Sequence, residues 1–350
     1  MTSALAAADR GDWVAESGRL TLGEFLTDWL DGRSRLRSAT KRSYSSHVRI
    51  YLVPRLGQMK ISALRPGHIS SMLSDLRQTG HRGRPLSAST VQRVHATLRA
   101  ALNHALRMGI LTINPACLVE LEPASRPVPR IWTPDELNLF LRSTRDDELH
   151  MLYRLVALTG LRRGEVVGLH WSEVDLESGT LRVVQQVVQL GSRSELSEPK
   201  TKAGRRVIKL DSATCDALRN HWDRQVALAA PGPSASTPVF SRSDGRTLSP
   251  EYVTRRFTRL SKAAGLPSIR FHDLRHGHAS YALAAGVPIK VVQERLGHSS
   301  ALITTDLYTH VLPAMHTAAA EQIAALLEDS DATTDTDPSE HTPLRAEDEP

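Results

Sequence analysis

Six side chains in this 350-residue sequence have the types and spacing of a charged reaction centre: Arg162, Lys200, His272, Arg275, His298 and Tyr308. A free phenol ionises near a pKa of about 10 and is a weak nucleophile at neutral pH. If it is to attack a phosphodiester, positive charge must meet the non-bridging oxygens, and planar guanidinium forks match their geometry. Two arginines fill that role. A lysine can protonate a departing alkoxide, and imidazoles can move a proton or hydrogen-bond the phosphate.

Taken singly, each residue also has a plain structural explanation. Arg162 follows Thr159-Gly160, where a turn or helix start can aim it inward, and Glu165 lies one helical turn on; a surface ion pair would look the same. His272 and Arg275 are three apart and share one helical face, which also fits a solvated basic face in a chain with 15 histidines. His298 follows Leu296-Gly297, where glycine ends a helix that opens near Pro288 and the histidine could cap or pack. Tyr308 alone reads as a core or interface aromatic. Their order argues for a common site. His298 stands 23 residues after Arg275 and Tyr308 stands 10 after His298, with short-helix spacing of apolar residues between them.

The elements that must hold these residues fall into two helical regions. Residues 1–20 read as a loose arm. Thr21 and Glu24 form a capping box, after which Phe25, Leu26, Trp29 and Leu30 share a helical face. A second helix is expected from Ser38 through Tyr51, ending before Pro54. A third opens at Pro66 with Ile69, Met72, Leu73 and Leu76 at helical spacing. A fourth carries Val91, Val94, Leu98, Leu102 and Ala105 and stops at Gly109, with Arg93, His95, Arg99, His104 and Arg107 on its outer faces. Residues 21–120 are thus expected to form a small helical domain. Pro123, Pro127 and Pro129 mark a linker over 121–132. Thr133-Pro134-Asp135-Glu136 then opens a second domain, 133–327, with an N-cap, a first-turn proline and a capping-box acid. Its clearest β pattern is Leu181–Leu190 answered by Arg206–Leu210 across a Lys/Thr/Gly-rich turn. Helices resume from Pro250 to Leu327, and the acidic stretch 328–350 reads as disordered. The fold class is mainly α with a small antiparallel β-sheet.

Composition narrows the partner. The formal net charge is +6, from 44 basic and 38 acidic residues. Glu328 to Pro350 holds nine acids and one base, so residues 1–327 carry 43 basic against 29 acidic, a net of +14. A body that basic favours a polyanion, with nucleic acid ahead of a membrane surface. Lys41, Arg42, Arg82, Arg84, Arg93, Arg99 and Lys202 are candidate phosphate contacts. The two cysteines, Cys117 and Cys215, fit neither a disulfide framework nor a cysteine zinc site, and no long apolar run or signal-peptide pattern is present. A cytoplasmic, nucleoid-associated protein is expected.

Four segments carry a family likeness: Thr159-Gly160-Leu161-Arg162-Arg163-Gly164-Glu165, His272-Asp273-Leu274-Arg275-His276-Gly277, Leu296-Gly297-His298-Ser299-Ser300 and Tyr308-Thr309-His310-Val311. Together they resemble the tyrosine recombinase (phage integrase) family, in which arginine, a β-hairpin lysine, His-x-x-Arg, Leu-Gly-His and tyrosine occur in this order. Residues 133–327 resemble its catalytic domain. Residues 21–110 resemble its SAM-like core-binding domain, with Tyr51–Gly57 and Ile61–Leu64 where integrases carry similar segments. The resemblance implies site-specific cutting and rejoining of double-stranded DNA without ATP or a required metal. It implies two domains that clamp the duplex and a homotetramer on paired sites, and makes an accessory directionality factor a candidate partner. It assigns Tyr308 as the nucleophile that forms a 3′-phosphotyrosine, and Arg162 and Arg275 as the phosphate clamp. His272 would handle the tyrosine proton, His298 would hydrogen-bond the phosphate, and Glu165 would support the arginines. Lys200 is the preferred acid for the leaving 5′-oxygen, and Lys202 is the alternative. The 20 residues before Thr21 are too few for a separate arm-binding domain.

Two rival readings belong to other classes. Pro134-Asp135 with Glu198-Pro199-Lys200 spells a PD…ExK pattern of a metal-dependent nuclease, although Asp135 is already explained by a helix first turn. His272, His276 and His278 suggest a metal cluster but lack an accompanying motif such as H-E-x-x-H. A catalytically silent, architectural DNA-binding protein of the same fold is the non-enzymatic alternative. The Ala-rich segment Pro313 to Leu327 reads as a helix that could cap its own domain; the resemblance implies instead that it docks on a neighbouring protomer on DNA.

Overall fold

A computed structural model describes residues 19–34, 36–123, 129–191, 193–199, 201–228, 232–242, 248–298 and 324, with the backbone alone for Lys202. Lys200, Tyr308, the segment Pro313 to Leu327 apart from residue 324, and the acidic tail lie outside the described residues. The chain divides into two compact units, residues 1–128 with 188–195, and residues 129–187 with 196–350.

The first unit is helical. Helix α1 (Leu22–Asp31) opens on the Thr21–Glu24 capping box and buries Leu22, Phe25, Leu26 and Trp29. Helix α2 (Ser38–His47) does not stop before Pro54. It runs through a π turn, Val48–Leu52, into α3 (Val53–Leu56), which has Pro54 in its first turn. The wider turn explains the passage, because Val53 donates to Val48 O five residues back and proline at a first-turn position lacks only an N–H that has no helical acceptor. Helices α4 (Pro66–Gln78) and α5 (Ala88–Arg107) follow with the expected apolar faces. One outer-face assignment is corrected. His95 is buried, and its Nε2 lies 2.8 Å from Ala116 O, so it ties α5 to the chain beyond it. Leu22, Leu26, Leu52, Ile69, Leu98 and Leu102 centre this core.

The second unit takes in the last four residues of the expected linker, from Pro129 on. Trp132 is 2 % exposed, stacks at a tilt on Phe140 and Phe257, and donates through Nε1 to Pro267 O at 2.8 Å. It is a core residue of this unit rather than a spacer. Helix α6 (Pro134–Ser143) carries the full capping box. Helices α7 (His150–Thr159) and α8 (Arg163–Val167) are separated by Gly160, whose φ of 66° ends α7 in a left-handed cap.

The single long strand read over Leu181–Leu190 is two strands. β2 (Thr180–Val183) lies between β1 (Val174–Asp175) and β5 (Arg206–Lys209), antiparallel to both, with Leu181 opposite Ile208. β3 (Gln186–Leu190) and β4 (Arg193–Ser197) form a separate hairpin, most of which, residues 188–195, belongs to the first unit. β3 runs close against α8, where a Cβ on Gly164 would stand 2.6 Å from Val187 O. Helices α9 (Ser212–Leu228), α10 (Pro250–Ala263), α11 (Asp273–Ala284) and α12 (Ile289–Leu296) complete the described unit. No helix among the described residues is long and apolar enough to cross a membrane.

Candidate active site

The residues brought together sit at element ends, where backbone groups lack helical partners. Arg162 is the N-cap of α8, just after the Gly160 turn. Its backbone N–H donates to Glu165 Oε2 at 2.8 Å and its Nη1 to Glu165 Oε1 at 2.7 Å. Glu165 is 3 % exposed, so the surface ion pair is excluded. Arg275, on the first turn of α11, is 2 % exposed. It donates from Nη1 to Gly160 O and from Nη2 to Leu296 O, each at 2.7 Å. Burying an arginine this deeply requires such charge-assisted bonds.

The histidine turn is built by α12. Gly297 takes φ of 67°, and the His298 N–H reaches Gln293 O at 3.1 Å while the Gly297 N–H reaches Glu294 O at 3.0 Å. That is a Schellman closure, which places His298 directly after the helix end. Arg162 Nη2 donates to Gly297 O at 2.9 Å, so the arginine and histidine segments are joined directly.

Sequence reasoning missed Arg206. It lies on β5, 6 % exposed, and holds both Glu165 oxygens, Nη1 to Oε1 at 3.0 Å and Nη2 to Oε2 at 2.8 Å. In the sequence, Arg205-Arg206 looks like two more basic contacts. The only available signal was the β alternation, which sends neighbours to opposite faces. Arg205 instead pairs with the exposed Glu198 at 2.7 Å.

These charges set the protonation of the cluster. Burial alone would raise the Glu165 carboxyl, but the hydrogen bonds and charge of Arg206, then Arg162, outweigh it and hold it down at about 2. Burial and then the charges of Arg275, Arg162, His276 and Arg206 push His298 down to about 3. Crowding by protein, then His276 and Arg275, lower His272 as well against the opposing charge of Asp273, although the residue itself is exposed. His272 stands edge-on to His276 with ring centroids 5.1 Å apart. At neutral pH both imidazoles are therefore uncharged beside a guanidinium cluster, a state suited to accept protons or bond an anion.

The acids and histidines of the rival readings have other partners or stand exposed. Asp135 is exposed on the first turn of α6, and Glu198 is exposed just after β4 and paired with Arg205. His278 is buried with Nδ1 3.1 Å from Ala157 O. Among the described residues no group of three or more His, Cys, Asp or Glu could hold a metal ion. In the first unit, Arg42, Arg82, Arg84, Arg93 and Arg99 are exposed and Lys41 is partly so.

Comparison with known proteins decides the family. The sequence pattern described as Phage integrase family matches residues 132–315, and that described as Phage integrase, N-terminal SAM-like domain matches 21–77. The tyrosine recombinase XerC of Xylella fastidiosa (strain 9a5c) is 33 % identical, over 65 % of this chain and 72 % of its own. The chain belongs to the phage integrase family. It is a tyrosine-type site-specific recombinase of DNA. A tyrosine recombinase XerC-like protein of Caldanaerobacter subterraneus subsp. tengcongensis is 29 % identical, over 87 % of this chain and 83 % of its own. The fold matches the Tn1549 transposon integrase, solved with transposon right end DNA, at a TM-score of 0.74 and 22 % identity over 87 % of this chain and all of that one. It also matches a lambda integrase tetramer bound to a Holliday junction, at 0.62 and 19 % identity over 84 % of this chain and 80 % of that one. These likenesses support the expected architecture, a SAM-like helical domain followed by an integrase catalytic domain.

Proposed function

We propose that this integrase cuts and rejoins double-stranded DNA with Tyr308 as nucleophile and Arg162, Lys200, His272, Arg275 and His298 as the catalytic group. The observation that carries this reading is the convergence of Arg162, Arg275 and His298 on the end of α12. Arg162 and Arg275 would hold the non-bridging oxygens of the scissile phosphate, where charge grows as the fifth bond forms. Tyr308 Oη would attack phosphorus, the bond to the 5′-oxygen would break, and the 3′-phosphotyrosine would retain the bond energy for religation. Lys200, or Lys202 in its place, would give the 5′-oxygen its proton. His272 would take the phenol proton, and His298 would hydrogen-bond the phosphate.

The helical first domain, 21–120, joined through 121–132 to the catalytic domain, 133–327, would close on the duplex. Lys41, Arg42, Arg82, Arg84, Arg93, Arg99 and Lys202 would meet phosphates. Four protomers would act on two sites, as the lambda integrase tetramer on its junction suggests. An accessory protein would set direction. A nicked suicide duplex carrying sequence from beside the gene tests the assignment. The wild type should accumulate a protein–DNA adduct and Tyr308→Phe should form none; an adduct in the phenylalanine variant would remove Tyr308 from the mechanism.

A further inference from the structure

Among the described residues, the Schellman turn leaves three successive carbonyls at the end of α12 without backbone donors, and three arginines from three different elements take them. Arg206 Nε on β5 donates to Arg295 O at 2.7 Å. Arg275 Nη2 on α11 donates to Leu296 O at 2.7 Å, and Arg162 Nη2 at the start of α8 donates to Gly297 O at 2.9 Å. A helix C-terminus carries partial negative charge, so it can gather these like-charged groups. Glu165 closes the arrangement from the opposite side, accepting from both Arg162 and Arg206 on each of its oxygens. The segment before β5 is pressed onto the same turn. A Cβ on Gly297 would stand 2.6 Å from Ala203 O and 3.0 Å from Arg206 Cδ.

Two of these arginines belong to the proposed phosphate clamp. The third does not: its Nε, Nη1 and Nη2 all donate to protein acceptors, Arg295 O and the two Glu165 oxygens. We propose that Arg206 is a positioning residue for strand cleavage: its fork fixes the Arg162 guanidinium and the His298 turn relative to each other, so that both address one phosphate. This rests on the recombinase reading of the site. Charge supports it as well as geometry. With Arg162 as its sole partner, Glu165 would neutralise the charge needed by the phosphate. Arg206 supplies a second positive charge, leaving the trio with a net charge of +1. A lysine would keep the charge, but its single nitrogen cannot span both Glu165 oxygens and Arg295 O as the planar fork does.

The test compares wild type, Arg206→Lys and Arg206→Met by duplex binding, by single-turnover cleavage of the suicide duplex at saturating protein, and by NMR titration of His298 in DNA-free protein. Arg206→Met should bind DNA as wild type does but cleave roughly 10²-fold more slowly, the scale of losing one preorganised charged contact. Its His298 ring should titrate nearer the ordinary histidine value, since one positive neighbour has gone. Arg206→Lys should fall between the two in rate. Wild-type cleavage in Arg206→Lys would overturn the proposal even if the methionine variant failed to fold. So would a rate loss that merely follows loss of folded protein while His298 titrates unchanged. Absence of any adduct with wild type would instead defeat the recombinase reading, and the His298 titration would still decide the role of Arg206.

Discussion

Glu165, His278 and His298 make the second unit sensitive to acid in one direction. The Glu165 carboxyl sits near 2 in the fold against an ordinary 4.5, so its contribution to stability is complete above 4.5 and is lost as pH falls toward 2. His278 and His298 are pushed down from 6.5 to about 4 and about 3. Between those values and 6.5 the unfolded chain binds protons that the folded chain does not, so stability again falls with pH. Thermal melts should therefore show Tm dropping steadily from pH 7 to pH 4. Glu165→Gln should be less stable at pH 7 and should lose less of its remaining stability below pH 4.5. A Tm flat across this range would contradict the buried, uncharged state assigned to these rings. Arg206 shows why this part of the site was hidden from sequence. An arginine inside an ion cluster and an arginine in solvent have the same letter, and only burial separates them.

Elements whose ends are locally encoded were legible. Gly160 and Gly297 take the left-handed conformation that stops α7 and α12, and they leave Arg162 and His298 where the motifs suggested. The capping boxes at Thr21 and Thr133 formed for the same local reason. The π turn before Pro54, the break between β2 and β3, and helix α9 were not legible. Each depends on tertiary packing, and α9 buries only Thr214, Cys215 and Leu218, too few for an apolar stripe. One strained element carries its own prediction. His81 and Arg84 exchange backbone hydrogen bonds at 3.1 and 3.2 Å, and between them Arg82 and Gly83 hold φ of 54° and 72°. Such a two-residue turn suits Asn-Gly, and an arginine at its first position costs about 1 kcal/mol. Arg82→Gly should raise stability by about that amount while weakening DNA binding and lowering its salt slope by about 1. Unchanged binding in that variant would take Arg82 off the DNA surface.

At the scale of the whole molecule, the basic body and the proposed action on paired sites place assembly on the DNA. Light scattering of the free protein should give a monomer, and mixing with duplex sites should give higher assemblies up to four protomers on two duplexes. A tight tetramer without DNA would contradict this order of events. Binding should weaken steeply between 50 and 200 mM salt, because displaced counterions drive contact with phosphate. The central claim is that one phenolic oxygen becomes bonded to DNA. The most direct test is proteolysis of the trapped adduct and mass spectrometry of the nucleotide-bearing peptide. The expected result is a single modified peptide with the 3′-phosphate on Tyr308. A modification at another residue, or cleaved DNA with no covalent peptide, would contradict it.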